Sequence, residues 1–209
     1  MGIMKVITLT FGSLENNCFL VIDENTNDSV LIDCTAYNER LEAAIGNTNL
    51  RYLLLTHGHY DHILGAKKLK EKHPSCKIAI SKEDAPMLSS ARKSLADYFG
   101  SPQENILPDI LLSDGDSTLF GGTEISVIST PGHTKGSLCF IIGNYLFTGD
   151  TLFRMSCGRT DFPGGSWVEM EQSLERLKKL NGDLIVCAGH NENSTLDFER
   201  RNNPYMKSL

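Results

Sequence analysis

Thr56-His57-Gly58-His59-Tyr60-Asp61-His62 follows directly on an apolar run, Tyr52-Leu53-Leu54-Leu55. Such a run, bounded by polar residues, reads as a buried strand. Four side chains able to bind metal therefore leave one strand end together. In extended backbone alternate side chains point the same way, so His57 and His59 can share one ion. Asp61 and His62 lie past the bend and can turn to a second.

Three more turns carry matching residues. They are Pro131-Gly132-His133-Thr134, Thr148-Gly149-Asp150-Thr151 and Ala188-Gly189-His190-Asn191. Each comes just after a strand-like run, at residues 127–128, 145–147 and 185–187. Strand ends on one rim of a sheet can converge on a single site. His133 then completes the triad of His57 and His59, and His190 completes that of Asp61 and His62. Asp150 is left to bridge both ions through its two oxygens. His73, the sixth histidine, sits apart in the polar stretch Lys70-Glu71-Lys72-His73-Pro74 and reads as an ordinary surface residue. Imidazole with carboxylate suits two divalent ions, Zn2+ foremost, with iron, manganese or nickel also compatible. About three protein ligands per ion leave a position open, as catalytic sites do.

The chain of 209 residues carries a net charge of −6. An acidic balance without a basic patch argues against a nucleic-acid partner. The six cysteines form no C-x-x-C pair and lie singly among apolar residues, as buried reduced thiols would. No apolar run approaches the ~20 residues needed to span a bilayer, so no membrane partner is expected. Residues 1–5 lead straight into a strand-like run without a signal-peptide pattern, which makes the cytoplasm the expected compartment. Nothing reports on oligomeric state.

The order of elements suggests two similar halves. Strands are expected at 5–11, 18–23, 29–33, 51–56 and 77–80, with Asn16-Asn17 as a turn. Helices are expected at 38–45 and 63–72, and residues 82–90 and 91–99 read as a helical pair or a helix with a mobile loop, forming part of a pocket wall. Strands at 110–112, 117–120, 123–129, 138–142 and 145–147 read as one meander. A helix at 167–180, a strand at 184–187 and a helix at 194–201 capped by Ser194 follow. This is an α/β chain of two sheets packed face to face with helices outside.

The quoted motifs resemble those of the metallo-β-lactamase superfamily, in order and across nearly the whole chain. The resemblance implies an αββα sandwich with a dinuclear centre: His57, His59 and His133 on one metal, Asp61, His62 and His190 on the other, Asp150 between. His59 stands where a diiron flavoprotein branch has Glu, which favours zinc. Within the superfamily the chain is similar to the glyoxalase II group, the hydroxyacylglutathione hydrolases. The clue is Cys157-Gly158-Arg159-Thr160-Asp161-Phe162-Pro163-Gly164-Gly165. Arg159 stands where glyoxalase II has a lysine that meets the glutathione carboxylate, keeping the charge but changing its geometry. The sequence stops soon after Asn203-Pro204-Tyr205, where that group continues into a helical glutathione-binding domain. A single domain over 1–209 is therefore expected. Ala188 and Cys34-Thr35 also depart from the Pro and Pro-Gly common at those positions.

The resemblance implies a thioesterase that cleaves S-2-hydroxyacylglutathione or a related small-molecule thioester. Water activated between the ions would attack the carbonyl, with Asp61 and Asp150 orienting it. Thr56, Thr134 and Asp33 are the expected partners fixing imidazole tautomers. Arg159 and Tyr145 are the expected substrate anchors. Iron-dependent persulfide dioxygenases share the Cys-Gly-Arg-Thr-Asp-Phe run but have glutamines where this chain has Pro163-Gly164. A lactonase would need the same attack on a ring ester. Superfamily nucleases fit poorly with the acidic balance.

Overall fold

Alternation in the first strands divides their side chains between two cores. The computed structural model describes residues 4–207. Strands β1 (Met4–Phe11), β2 (Asn16–Asp23) and β3 (Asp28–Ile32) form an antiparallel meander. Helix α1 (Glu39–Ile45) is capped by Asn38, whose side chain accepts from Arg40 N and Leu41 N. The chain then adds β4 (Asn49–Leu54), helices α2 (Tyr60–Ile63) and α3 (Ala66–Lys72), β5 (Lys77–Ser81) and β6 (Ile110–Leu112). Strands β3 to β6 run parallel, so the sheet order is β1-β2-β3-β4-β5-β6.

The second sheet begins as a meander, β7 (Ser117–Phe120), β8 (Thr123–Ser129), β9 (Leu138–Ile142) and β10 (Tyr145–Gly149). A small ribbon, β11 (Leu152–Phe153) with β12 (Ser156–Cys157), precedes helix α4 (Trp167–Lys178). Strand β13 (Ile185–Ala188) returns parallel to β10, as a helical crossover requires. Strand β14 (Ser194–Thr195) and helices α5 (Leu196–Asn202) and α6 (Pro204–Lys207) finish the described chain.

On β2 and β3, Leu20 and Leu31 face α1 and α3 and pack with Leu41, Ile45 and Leu69. Their neighbours Phe19, Val21, Val30 and Ile32 face the second sheet and pack with Phe120, Phe140 and Phe147. Beyond that sheet Leu146 and Val186 meet Met170, Leu174 and Leu177 of α4. The layers are α/β/β/α, two mixed sheets face to face with helices outside, as expected.

Several local expectations need correction. The meander is not one unit: β6 joins the first sheet beside β5, and only β7 to β10 form it. Residues 82–99 contain a single 3-10 turn, Ala85–Met87, followed by linked turns rather than a helical pair. Pro86 and the serine-rich stretch Ser89-Ser90 favour turns over continuous helix. Asn16 and Asn17 belong to β2, not to a turn. The helix expected at 63–72 is interrupted at Leu64-Gly65 between α2 and α3, where glycine weakens continuous helix; a side chain at Gly65 would collide with Ala36 and Cys34. Thr195, not Ser194, caps α5, accepting from Phe198 N.

Candidate metal centre

The ends of β4, β8, β10 and β13 lie on one rim of the sandwich, and the loops leaving them carry all seven expected ligands. His57, His59 and His133 bring one donor atom each into a common group, and so do Asp61, His62 and His190. Rings of the first group stand nearly perpendicular, with centroids 4.6–4.8 Å apart. In the second group His62 Nε2 and His190 Nε2 are 3.3 Å apart. Asp61 Oδ2 lies 3.8 Å from the first and 3.6 Å from the second. Asp150 reaches both groups: Oδ1 is 3.4 Å from His62 Nε2 and Oδ2 is 3.5 Å from His133 Nε2.

Two glycines allow this convergence. A Cβ on Gly189 would strike the Asp150 carboxylate, and one on Gly158 would strike the Asp150 carbonyl. Only glycine lets three loops meet so closely.

The far side of each ring decides which nitrogen faces inward. His62 Nδ1 donates to Asp33 Oδ2 at 2.8 Å. His57 Nδ1 donates to Thr56 Oγ1 at 3.1 Å, and Thr56 Oγ1 donates in turn to Asp33 Oδ2. His133 Nδ1 donates to the Arg159 carbonyl and His190 Nδ1 to the Leu14 carbonyl, each at 2.7 Å. Because carbonyls and the carboxylate cannot donate and the Thr56 proton is committed to Asp33, the Nε2 of each of these four rings faces the centre, with a lone pair to give wherever the ring is neutral. Thr56 and Asp33 thus take the expected tautomer-fixing part. Thr134 does not: its hydroxyl donates to Asp84 Oδ2 at 2.7 Å.

Donor chemistry and spacing fit metal ions. His57 Nε2 and Asp150 Oδ1 are buried without any hydrogen-bond partner, although such groups rarely stay unpaired. Tetrahedral zinc with bonds near 2.0–2.2 Å sets its ligand atoms roughly 3.3–3.6 Å apart, close to the separations of the second group. Burial and the neighbouring imidazoles hold His57 well below the usual histidine range and His59 down to about 3, so both offer lone pairs. Burial alone would lower His62 as well, but Asp150, Asp61 and Asp33 push it up to about 10. Burial raises Asp150, yet His62, His190 and His133 outweigh it and hold the carboxylate well below its ordinary value.

Residues 12–190 match the family model described as "Metallo-beta-lactamase superfamily". The chain belongs to that superfamily. A Haemophilus influenzae protein named "Hydroxyacylglutathione hydrolase GloC" is 35% identical over 98% of this chain and 99% of its own length. Among solved superfamily folds, the BLEG-1 B3 metallo-beta-lactamase superposes with a TM-score of 0.89 at 26% identity, covering 98% of this chain and 99% of that one. The protein TTHA1623 in a di-iron-bound form superposes with a TM-score of 0.83 at 34% identity, covering 96% of this chain and all of the other.

In this superfamily member a cavity of about 410 Å³ opens onto the ligands. Its walls are mostly apolar, from Leu14, Tyr60, Leu95, Phe99, Phe153 and Phe162. Tyr60 and Phe99 stack with centroids 5.1 Å apart. Arg159 is at the mouth, its guanidinium over the Phe162 ring at 4.0 Å and paired with Asp161 through Nε and Nη2, each at 2.6 Å. Tyr145 is not brought to the site. It opens β10 at the end remote from Asp150 and stacks on Phe147 between the sheets. Its strand delivers only its C-terminal end to the rim.

Sequence reasoning missed Asp84 and Asn16. Asp84 accepts from Gly58 N, Thr134 Oγ1 and Gly136 N, joining two ligand loops. Asn16 lies against the second group. Neither belongs to a histidine-bearing motif.

Proposed function

We propose that this metallo-hydrolase superfamily member is a cytoplasmic thioesterase acting on S-2-hydroxyacylglutathione or a related small thioester. The observation that carries the reading is an apolar cavity that ends on a dinuclear donor set and has one guanidinium at its mouth. The full-length similarity to GloC supports it.

His57, His59 and His133 would hold one ion, Asp61, His62 and His190 the other, and Asp150 both. Zinc, iron and manganese all suit these donors. Bound there, the ions supply Lewis acidity and an activated water for hydrolysis. The chain's own residues do the rest. Leu95, Phe99 and Phe162 cover the apolar part of the acyl or thiol arm and exclude bulk water. Asp61 and Asp150 face the cavity and orient the attacking water toward the carbonyl carbon. The C–S bond breaks and the thiolate leaves, a group good enough to need little proton donation. Arg159 keeps Nη1 for a substrate carboxylate while Asp161 holds its other edge and Phe162 fixes its plane.

The test is hydrolysis of S-D-lactoylglutathione by the purified protein, with and without a metal chelator. Fast turnover that the chelator abolishes supports the reading. A metal-loaded protein that leaves this thioester intact overturns it. Oxygen uptake with glutathione persulfide would then point to the dioxygenase chemistry that shares the Cys157–Phe162 pattern.

A further inference from the structure

Asn16 is 1% exposed, and its carboxamide is aimed at the second group of ligands. Its Nδ2 is 2.9 Å from Asp61 Oδ2 and 3.4 Å from both His62 Nε2 and His190 Nε2. Those three donor atoms are 3.3–3.8 Å from one another. The end of the Asn16 side chain therefore closes a near-tetrahedron with three of the expected ligands, beside the Asp150 carboxylate, whose Oδ1 is 3.4 Å from His62 Nε2 and whose Oδ2 is 3.4 Å from His190 Nε2. A half-turn about Cβ–Cγ exchanges the two ends of a carboxamide, which differ little in shape. The nitrogen has no lone pair to give a metal, whereas Oδ1 has two. Among the described residues none donates a hydrogen bond to Oδ1, so the half-turn gives up only the Nδ2 contacts with Asp61, His62 and His190, which an ion held by those three atoms would itself replace.

The backbone keeps the carboxamide from retreating. Asn16 pairs with His190 in an isolated antiparallel bridge. Asn17 N donates to Gly189 O at 2.8 Å, and Asn17 Nδ2 donates to Ala188 O and Asn191 O. The start of β2 is thus fastened to the loop that carries His190. No comparable carboxamide is hydrogen-bonded to the first group among the described residues, so the two positions differ.

We propose that Asn16 is a further ligand of the second ion beside Asp150, binding through its carboxamide oxygen on the side enclosed by Asp61, His62 and His190. This rests on the reading that those three residues hold an ion. The added neutral oxygen tightens the second position without adding charge, and it leaves the first position unaffected.

Competition titration with a chromophoric chelator on the full chain, using Zn2+ alone, reads both ions without any substrate. The wild type is expected to take two ions. Asn16→Ala is expected to weaken the second by at least about tenfold, in the 10–100-fold range of lost metal-site contacts, and to leave the first unchanged. Asn16→Asp has the same shape and an anionic oxygen, and is expected to bind the second ion more tightly than wild type. It also guards against a folding defect in the alanine variant. Two ions bound with wild-type affinities by Asn16→Ala would overturn the proposal alone. So would a tighter second ion in Asn16→Ala, or a weaker one in Asn16→Asp. A wild type that binds one ion and no second overturns both this inference and the dinuclear reading on which it rests.

Discussion

The His62 imidazole and the Asp33 carboxylate meet at 2.8 Å with almost no exposure to solvent. The same carboxylate accepts from Thr56 N and Thr56 Oγ1, and Thr56 in turn receives His57 Nδ1. One acid at the end of β3 thereby orients a ligand of each proposed ion. Asp33 sits at φ 58°, a left-handed conformation that Asn also tolerates, so Asp33→Asn should fold. It offers a weaker, neutral acceptor to His62. We expect affinity for the second ion to fall by about 10–100-fold, with a smaller loss at the first. Metal titration checks this, with far-UV circular dichroism as the folding control.

Asp84 should matter for stability more than for chemistry. It accepts from Gly58 N at 3.0 Å, Thr134 Oγ1 at 2.7 Å and Gly136 N at 2.9 Å. Asp84→Ala leaves the buried Gly58 N and Gly136 N unpaired and Thr134 Oγ1 with only Ser137 Oγ. Each unpaired group costs about 1–3 kcal/mol, with partial rescue by water. A net loss on the order of 3 kcal/mol would lower the melting temperature by roughly 6–12 °C for a domain of this size. Thr134→Val removes one of the three and should cost about a third as much. Thermal unfolding of both variants compares them, and equal melting temperatures would refute the brace.

The stability of the chelated protein should peak between two histidine windows. His59 is held down to about 3, so below the unfolded value near 6.5 the unfolded chain binds the proton and the native state does not. Stability is therefore lost as pH falls from about 6.5 toward 3. His62 is pushed up to about 10, so between about 6.5 and 10 the native state holds a proton that the unfolded chain has released. Stability is lost again as pH rises through that range. Metal binding displaces the His62 proton, so affinity should climb with pH over the same interval. Melting curves with chelator and metal titrations across pH measure the two trends. A chelated protein that grows steadily more stable from pH 6.5 to 9 would contradict the His62 assignment.

Arg159 offers separable parts. Its carbonyl holds His133, while its guanidinium lies at the cavity mouth. Arg159→Ala keeps the carbonyl and should retain metal content. For a substrate bearing a carboxylate we expect KM to rise about tenfold with kcat little changed, the mark of lost uniform binding. Arg159→Lys should recover only part, because a lysine cannot hold Asp161 through two parallel bonds. Loss of bound metal in Arg159→Ala would show that the side chain, rather than the carbonyl, supports His133.

Much of the site was legible because metal chemistry is written in residue types at short spacing. Four of the seven candidate ligands fall within His57–His62, and the rest sit in glycine-marked turns after apolar runs. The apolar runs of β2 and β3 were legible as strands, but the division of Leu20 and Leu31 from Phe19, Val21, Val30 and Ile32 between two cores appears only in the packed structure. Residues 82–99 misled because their spacing of apolar residues resembles a helix while Pro86 and the serines break one. Tyr145 misled because a strand end and a strand start look alike in sequence, and only the end reaches the rim.

From the residue order alone come the candidate ligands and the expectation of a dinuclear centre, since their motifs depend on neighbours a few positions apart, and the order of elements along the chain suggests the two-sheet layering. The remaining features depend on distant segments meeting. Asn16 reaches Asp61 across 45 residues and His190 across 174, and Asp84 reaches Thr134 across 50. The carbonyls of Leu14 and Arg159 that orient His190 and His133 have no side-chain signature at all. Such contacts arise only once the two sheets have packed and brought their loops to a common rim. Packing is set by the sum of many weak apolar contacts, and no short motif records it.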